Sequence, residues 1–387
     1  MISSLRIFDT LTKNNISLKP TNKVFRIFVC GPTLYDNCHL GHARLFVMVD
    51  LIIRLLKSRN FIPHVVVNVT DIDPKLNENN NINPDVIFKA FIDDLNKLEI
   101  SDLIYAKTSD YVKEAMDLTE VLIKRKLAYS VNGNVYLESS KFKAYGALSH
   151  LSKSELSDHR YDIDINKRNV TDNFLWNTSD YYGTEFNDKI LGDGTPWWHM
   201  QDTAVAMFHF NGNYDIHVGG IDLCYPHHEV LLSNLIALSR KERPVKCWVH
   251  VGILDIENKK MSKSSGNVIY IRELLKKYDA NTLKLYFFSH SYKKLINFKF
   301  SDLNRFDRIN NMIRDLVLSS DYENEDYDIA NEKVNYTNES DTIKKFKNYI
   351  EDDLDTPNAL RLFLDTVTQE DKVNEAKKMM KIFGLRY

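Results

Sequence analysis

Val24-Phe25-Arg26-Ile27-Phe28-Val29-Cys30-Gly31-Pro32 is the stretch on which the reading of the fold turns. Its β-branched and aromatic run predicts a buried strand over 24–29, and Gly31-Pro32 then turns the chain. Apolar residues at helical spacing follow from Ala43 to Leu56, and a second strand-like run occupies His64 to Val69. Strand, turn, helix and strand in that order make one βαβ unit. Such units build parallel sheets whose ligands sit at the carboxyl ends of the strands, which directs attention to residues 30–42.

Working outward, residues 85–165 mix a helical run (Asp110 to Arg125) with a short strand pair (Ala128 to Glu138) turned at Asn132-Gly133-Asn134. This segment reads as an insertion between two halves of a sheet. Strands return at Tyr214 to Val218 and Val245 to Leu254, separated by a helical stretch from Pro226 to Ser239. Beyond Asn267 the pattern is helical to the end, except at Ser319 to Asp328, where five acids and no base predict a solvated loop. The expected division is 1–84 for the first half of the α/β domain, 85–165 for the insert and 166–256 for the second half. A basic loop region over 257–300 and a helical bundle over 301–387 complete it.

The 387 residues carry 51 Lys+Arg against 53 Asp+Glu, a formal net charge of −2, with 43% hydrophobic and 27% charged residues. This is a globular composition and excludes a disordered or collagen-like chain. No apolar run is long enough to span a bilayer. Cysteines stand at 30, 38, 224 and 247 with no C-x-x-C pair, which predicts a reducing, cytoplasmic setting without a disulfide framework. The near-neutral total hides one asymmetry: Glu257 to Phe300 holds ten Lys/Arg against three acids, a local strip suited to a polyanion.

Two segments carry chemistry. In Cys38-His39-Leu40-Gly41-His42, two imidazoles three residues apart open a predicted helix, beside free backbone amides and the positive end of the dipole, which suits phosphate. Lys260-Met261-Ser262-Lys263-Ser264-Ser265-Gly266-Asn267 sets two lysines and three hydroxyls in a glycine-terminated loop, suited to grip a charged leaving group. Alone, either segment would be unremarkable, since His pairs and Lys/Ser loops are common.

Together and in this order they resemble the HIGH and KMSKS signatures of class I aminoacyl-tRNA synthetases, present as HLGH and KMSKS. Further segments make the chain similar to the cysteinyl-tRNA synthetase family. They are Cys30-Gly31-Pro32-Thr33-Leu34-Tyr35-Asp36, Asn68-Val69-Thr70-Asp71-Ile72-Asp73, Lys167-Arg168-Asn169 with Trp176, Trp198-His199, and His217-Val218-Gly219-Gly220-Ile221-Asp222-Leu223 leading to Pro226-His227-His228-Glu229. Asp352-Asp353-Leu354-Asp355-Thr356-Pro357 is similar to the family's helical region. The resemblance implies an α/β fold: a Rossmann-like parallel-sheet catalytic domain with an insertion, followed by an α-helical bundle.

It also implies an activity, in which the amino-acid carboxylate attacks the α-phosphate of ATP and the adenylate then acylates tRNA. His39, His42, Lys260 and Lys263 are the catalytic residues so implied. ATP, with Mg²⁺, would lie among Gly31, Thr33, Tyr35, His39, Gly41, His42, Gly219, Gly220, Asp222, Ile253, Lys263 and Ser264. Cysteine, the expected amino acid, would lie among Cys30, Thr70, Trp198, Asp202 and His227.

The family holds a Zn²⁺ ion with two cysteines, a histidine and a glutamate. Here Cys30 and His227 fall on two of those positions, while Asp202 and Leu231 occupy the others. Cys30, Asp202 and His227 could form a three-ligand open site, harder and less thiol-selective than a dithiolate one. The family's small C-terminal module is not recognisable before Tyr387, which leaves tRNA to the helical bundle and the basic strip. The expected protein is therefore a shortened, monomeric cysteine–tRNA ligase. The alternative is a paralogue that activates another amino acid or acylates a small amine, as mycothiol-type ligases do.

Overall fold

A computed structural model describes residues 5–20, 22–73, 76, 83–158, 164–178, 186–261, 265–319 and 339–387. The expected acidic loop falls almost wholly outside these residues, as do Lys263 and Ser264.

An antiparallel hairpin, β1 (Leu5–Asp9) and β2 (Asn14–Leu18), precedes the βαβ unit. That unit is β3 (Val24–Val29), helix α1 (Leu40–Ser58) and β4 (Ile62–Val69). The two strands pair in parallel from Val24 opposite Ile62 to Val29 opposite Val67. The helix starts three residues before the apolar run suggests, because His39 caps it. A parallel edge strand, β5 (Ile104–Lys107), joins β4, so the 85–165 stretch supplies a strand of the central sheet as well as inserted structure.

From the insert, β6 (Ala128–Val131) and β7 (Asn134–Leu137) build a second sheet with β8 (Asn173–Asn177) and β9 (Thr195–Pro196), which lie beyond its expected end at 165. Asn132 and Gly133 both adopt positive φ, at 52° and 85°, the turn that the Asn-Gly-Asn signal predicts. The chain returns to the central sheet with β10 (Tyr214–Gly220) and β11 (Val245–Val251), giving the order β11-β10-β3-β4-β5, parallel throughout. The order reverses between β3 and β10. Cys30 follows β3 and Gly219-Gly220 end β10, so the topological switch point falls where the sequence places its ligand.

Two details depart from the expected elements. The strand from Val245 stops at Val251, and Gly252-Ile253 leave the sheet before β12 (Leu254–Ile256). Buried Arg44 accounts for the break, donating to the carbonyls of Gly252, Ile253, Ser291, Tyr292 and Lys294 at 2.6–3.0 Å. Likewise the helix expected from Pro226 becomes regular only at Glu229 (helix Glu229–Ser239), since Tyr225 is extended and Pro226 supplies no N–H.

β12, β13 (Lys259–Lys260) and β14 (Ile296–Phe298) form a small sheet. Helices follow at Ala280–Phe288, Phe300–Leu318, Asp341–Glu351, Thr356–Val367 and Val373–Phe383. These helices share one apolar core with α1: Phe383 stacks on Phe288 at 4.6 Å and meets Phe346 edge-on at 4.8 Å. Buried Lys284 extends this seam by donating to the Gly384 carbonyl, which ties the end of the last helix to the helix Ala280–Phe288. No helix among the described residues is long and apolar enough to cross a membrane.

Candidate functional site

The helix end at His39 is built by its own motif. His39 Nδ1 accepts the N–H of Gly41 at 3.1 Å, and His42 Nδ1 accepts the N–H of His39 at 3.2 Å. The rings stack with centroids 3.9 Å apart. Because both Nδ1 atoms accept, each neutral imidazole carries its proton on Nε2. Burial, and secondarily His39, pushes His42 well below the ordinary imidazole range, which favours the neutral ring. Gly41 leaves the space its neighbours need, since a Cβ there would come within 2.9 Å of the His39 ring.

The second motif is fastened to the first. Leu40 N–H donates to the Ile269 carbonyl at 2.8 Å, Ile271 N–H donates to the Cys38 carbonyl at 3.0 Å, and the Tyr270 hydroxyl donates to Asp36 at 3.0 Å. Lys260 is exposed on β13, and Asn267 donates to its carbonyl at 3.1 Å. The chain on both sides of 262–264 is thus held next to the helix end that the two histidines cap.

Below the switch point lies a buried polar cluster. Cys30 Sγ is 3.3 Å from His217 Nε2, 3.0 Å from His228 Nε2 and 3.8 Å from Asp202 Oδ2. Asp202 faces His227 Nε2 at 3.0 Å and receives Asn68 Nδ2 at 2.6 Å, while His227 Nδ1 meets His199 Nδ1 at 2.9 Å. His228 Nδ1 meets His250 Nε2 at 2.8 Å, and His250 Nδ1 meets Thr10 Oγ1 at 2.7 Å. Trp198 lies flat on His227 at 4.5 Å. Burial pushes His199, His217 and His228 well below the ordinary imidazole range and His250 to about 3. Burial, with nearby Asp202, pushes the Cys30 thiol up. Uncharged imidazoles with fixed tautomers are a metal-ligand chemistry.

Two groups sharing Cys30 bring their donor atoms within 4.8 Å of one another: Cys30, Asp202 and His227, and Cys30, His217 and His228. The first is the trio that the resemblance picks out. Leu231 is fully buried in the apolar cluster containing Cys30, Phe28 and Trp248, so the fourth family position is filled by hydrocarbon. The residues therefore fit a metal ion through three donors.

Thr70 is buried and bonds across to Pro32 and Leu34, which sets the turn that carries Thr33 and Tyr35. Gly31 packs so closely on β4 that a Cβ would sit 1.9 Å from the Asn68 carbonyl oxygen. Gly219 is likewise demanded by contact, since its Cβ would meet the His228 ring at 2.6 Å. Gly220 and exposed Asp222 lie at the outer end of β10, and half-buried Ile253 lies at the break held by Arg44. Sequence reasoning left Asn68, Tyr214, His199, His217, His228 and His250 without a role. A signal existed for His217: a polar residue among Tyr214, Ile216 and Val218 in a strand buried on both faces is out of pattern.

Comparison with known proteins places the chain in a family. Residues 17–308 match the family described as tRNA synthetases class I (C) catalytic domain. The chain is 31% identical to the cysteine–tRNA ligase of Methanococcus aeolicus, over 95% of this chain and 80% of that protein. It is 32% identical to that of Coxiella burnetii, over 98% and 82%. Among solved structures it resembles Mycobacterium tuberculosis methionyl-tRNA synthetase in complex with methionyl-adenylate, with a TM-score of 0.62 and 12% identity over 93% of this chain and 88% of that one. At that identity the likeness is one of fold.

Proposed function

The chain belongs to the class I cysteine–tRNA ligase family, and from that membership we propose that it joins cysteine to ATP as an adenylate and passes the acyl group to tRNA. In the first step a carboxylate oxygen of the amino acid forms a bond to the α-phosphorus, and the bond to the bridging oxygen of pyrophosphate breaks. No covalent protein intermediate is required, so the protein's task is to place charge and donors. His39 and His42 donate from Nε2 to the α-phosphoryl oxygens. Lys260 and Lys263 neutralise the departing pyrophosphate. Mg²⁺ that arrives with ATP supplies further phosphate neutralisation.

Gly31, Thr33, Tyr35, Gly41, Gly219, Gly220, Asp222, Ile253 and Ser264 surround the nucleotide in this reading. Cys30, Thr70, Trp198, Asp202 and His227 surround the amino acid. A zinc ion held at Cys30 would supply a Lewis acid that prefers the substrate's thiolate. For tRNA, the exposed Lys259, Lys260, Lys276, Lys277, Lys293, Lys294 and Lys299 offer phosphate contacts without base readout. A monomer working in the cytoplasm completes the proposal.

The observation that supports the reading is the backbone seam from Cys38-Leu40 to Ile269-Ile271, which ties the chain just after the lysine loop to the histidine-capped helix end. The alternative, a paralogue with another amino acid or a small amine acceptor, is not favoured, because the tRNA ligases match nearly the whole chain. Aminoacylation of tRNA transcripts with radiolabelled cysteine tests the proposal. Charging of tRNA(Cys) is expected, and adenylate formation without tRNA charging would overturn the acceptor.

A further inference from the structure

We infer that this chain holds its metal ion through Cys30 Sγ, His217 Nε2 and His228 Nε2, a Cys-His₂ set centred beside the trio that family position alone would select. The inference deepens the reading of Cys30 as a metal ligand and is independent of which substrate is activated.

Spacing is the first argument. A tetrahedral zinc ion places two imidazole nitrogens about 3.3–3.4 Å apart, and a thiolate about 3.5 Å from each, given ordinary bond lengths. The two Nε2 atoms are 3.3 Å apart, and Cys30 Sγ lies 3.3 and 3.0 Å from them. These three donors converge on one point.

The outer supports are the second argument. A ligating imidazole normally has its other nitrogen held, which fixes the ring and its tautomer. His217 Nδ1 faces the Tyr214 hydroxyl at 2.9 Å, and His228 Nδ1 faces His250 Nε2, whose own Nδ1 reaches Thr10 Oγ1. With protons on each Nδ1, the relay His228 to His250 to Thr10 is satisfied throughout and both Nε2 lone pairs turn to Cys30. The rings are clamped as well: Phe28 stacks on His217 at 5.0 Å, and Trp248 lies 4.4 Å from its other side. The absent Cβ at Gly219 admits the His228 ring.

The alternative trio is already satisfied without an ion. Asp202 is acceptor-only when ionised, and it takes Asn68 Nδ2 on one oxygen and faces His227 Nε2 on the other. With that proton on Nε2, His227 Nδ1 accepts from His199. Asp202 and His227 thereby form a closed carboxylate–imidazole pair flanking the Cys-His₂ set, and the burial of Leu231 removes the reason for an ion to move toward them.

The test uses the purified full chain, stripped by chelator and titrated with Co²⁺ alone. Metal content and visible absorption are read in the absence of ATP and amino acid, so a failure to activate cysteine is a separate result. Wild type should bind about one Co²⁺ with tetrahedral d–d bands and a thiolate charge-transfer band. His217→Asn and His228→Asn should each weaken binding by at least ~10-fold and abolish the tetrahedral bands. Tyr214→Phe, which leaves all three donors intact, should weaken binding ~10-fold. Asp202→Asn should retain both the stoichiometry and the bands. Loss of binding in Asp202→Asn with retention in both histidine variants would overturn the assignment, as would a wild-type chain that takes up no Co²⁺.

Discussion

His39 and His42 cap one helix end reciprocally, each imidazole accepting a backbone N–H through Nδ1. The same two hydrogen bonds that finish α1 therefore aim two Nε2–H donors away from it. In the proposed mechanism the cap and the chemistry share these rings, and the two contributions separate by mutation. His42→Ala should lower cysteine-dependent ATP–pyrophosphate exchange by about 10²–10³-fold, yet cost only about 1 kcal/mol of stability through the lost cap. Equal activity in the variant would remove His42 from the chemistry.

Gly219→Ala tests the close approach at the sheet's carboxyl edge. The new Cβ would press on the buried His228 ring at 2.6 Å, and the ring has little room to retreat among His217, His250 and Trp248. We expect exchange activity to fall at least tenfold, with a Tm loss of several degrees. Wild-type kinetics would mean that the His228 position does not matter to the reaction.

Arg44→Lys should destabilise the protein although it conserves charge. One ammonium has three donors and cannot satisfy the five carbonyls that the planar guanidinium reaches. Leaving buried carbonyls unpaired costs about 1–3 kcal/mol each, so urea denaturation should show a loss of at least ~2 kcal/mol. Unchanged stability would show that water replaces the lost donors.

Acid should weaken the fold before ordinary carboxylates titrate. Burial lowers His42 and His199 and takes His250 to about 3, whereas the unfolded side chains titrate near ~6.5. Between those values the unfolded state binds more protons, so stability rises with pH in that window. It is fully present above ~6.5 and is lost progressively as pH falls. Thermal melts from pH 7.5 to 5 should show a declining Tm, and His250→Gln should flatten the decline. A Tm that is flat or rises toward pH 5 would contradict neutral burial.

Much of the fold was legible because the βαβ unit writes its periods plainly: β3 falls where the Val24–Val29 run predicts it, and His39 and His42 open the helix as their motif implies. The edge strand Ile104–Lys107 was not, since four residues before a helix carry too little period to read. Nor was the break at Gly252-Ile253, which a side chain from α1 imposes across more than 200 positions of sequence. The polar cluster was half legible. Cys30, Asp202 and His227 stand in recognisable segments, but the convergence of His217 and His228 on Cys30 depends on β10 lying beside β3, a neighbour relation that no local pattern encodes.

The central claim is the activation of cysteine by a chain whose resembled zinc positions carry Asp202 and Leu231. Amino-acid-dependent ATP–pyrophosphate exchange, measured with each of the twenty amino acids and without tRNA, addresses it most directly. The account predicts exchange with cysteine and none above background with the others. Exchange driven by a different amino acid, or by none, would contradict it.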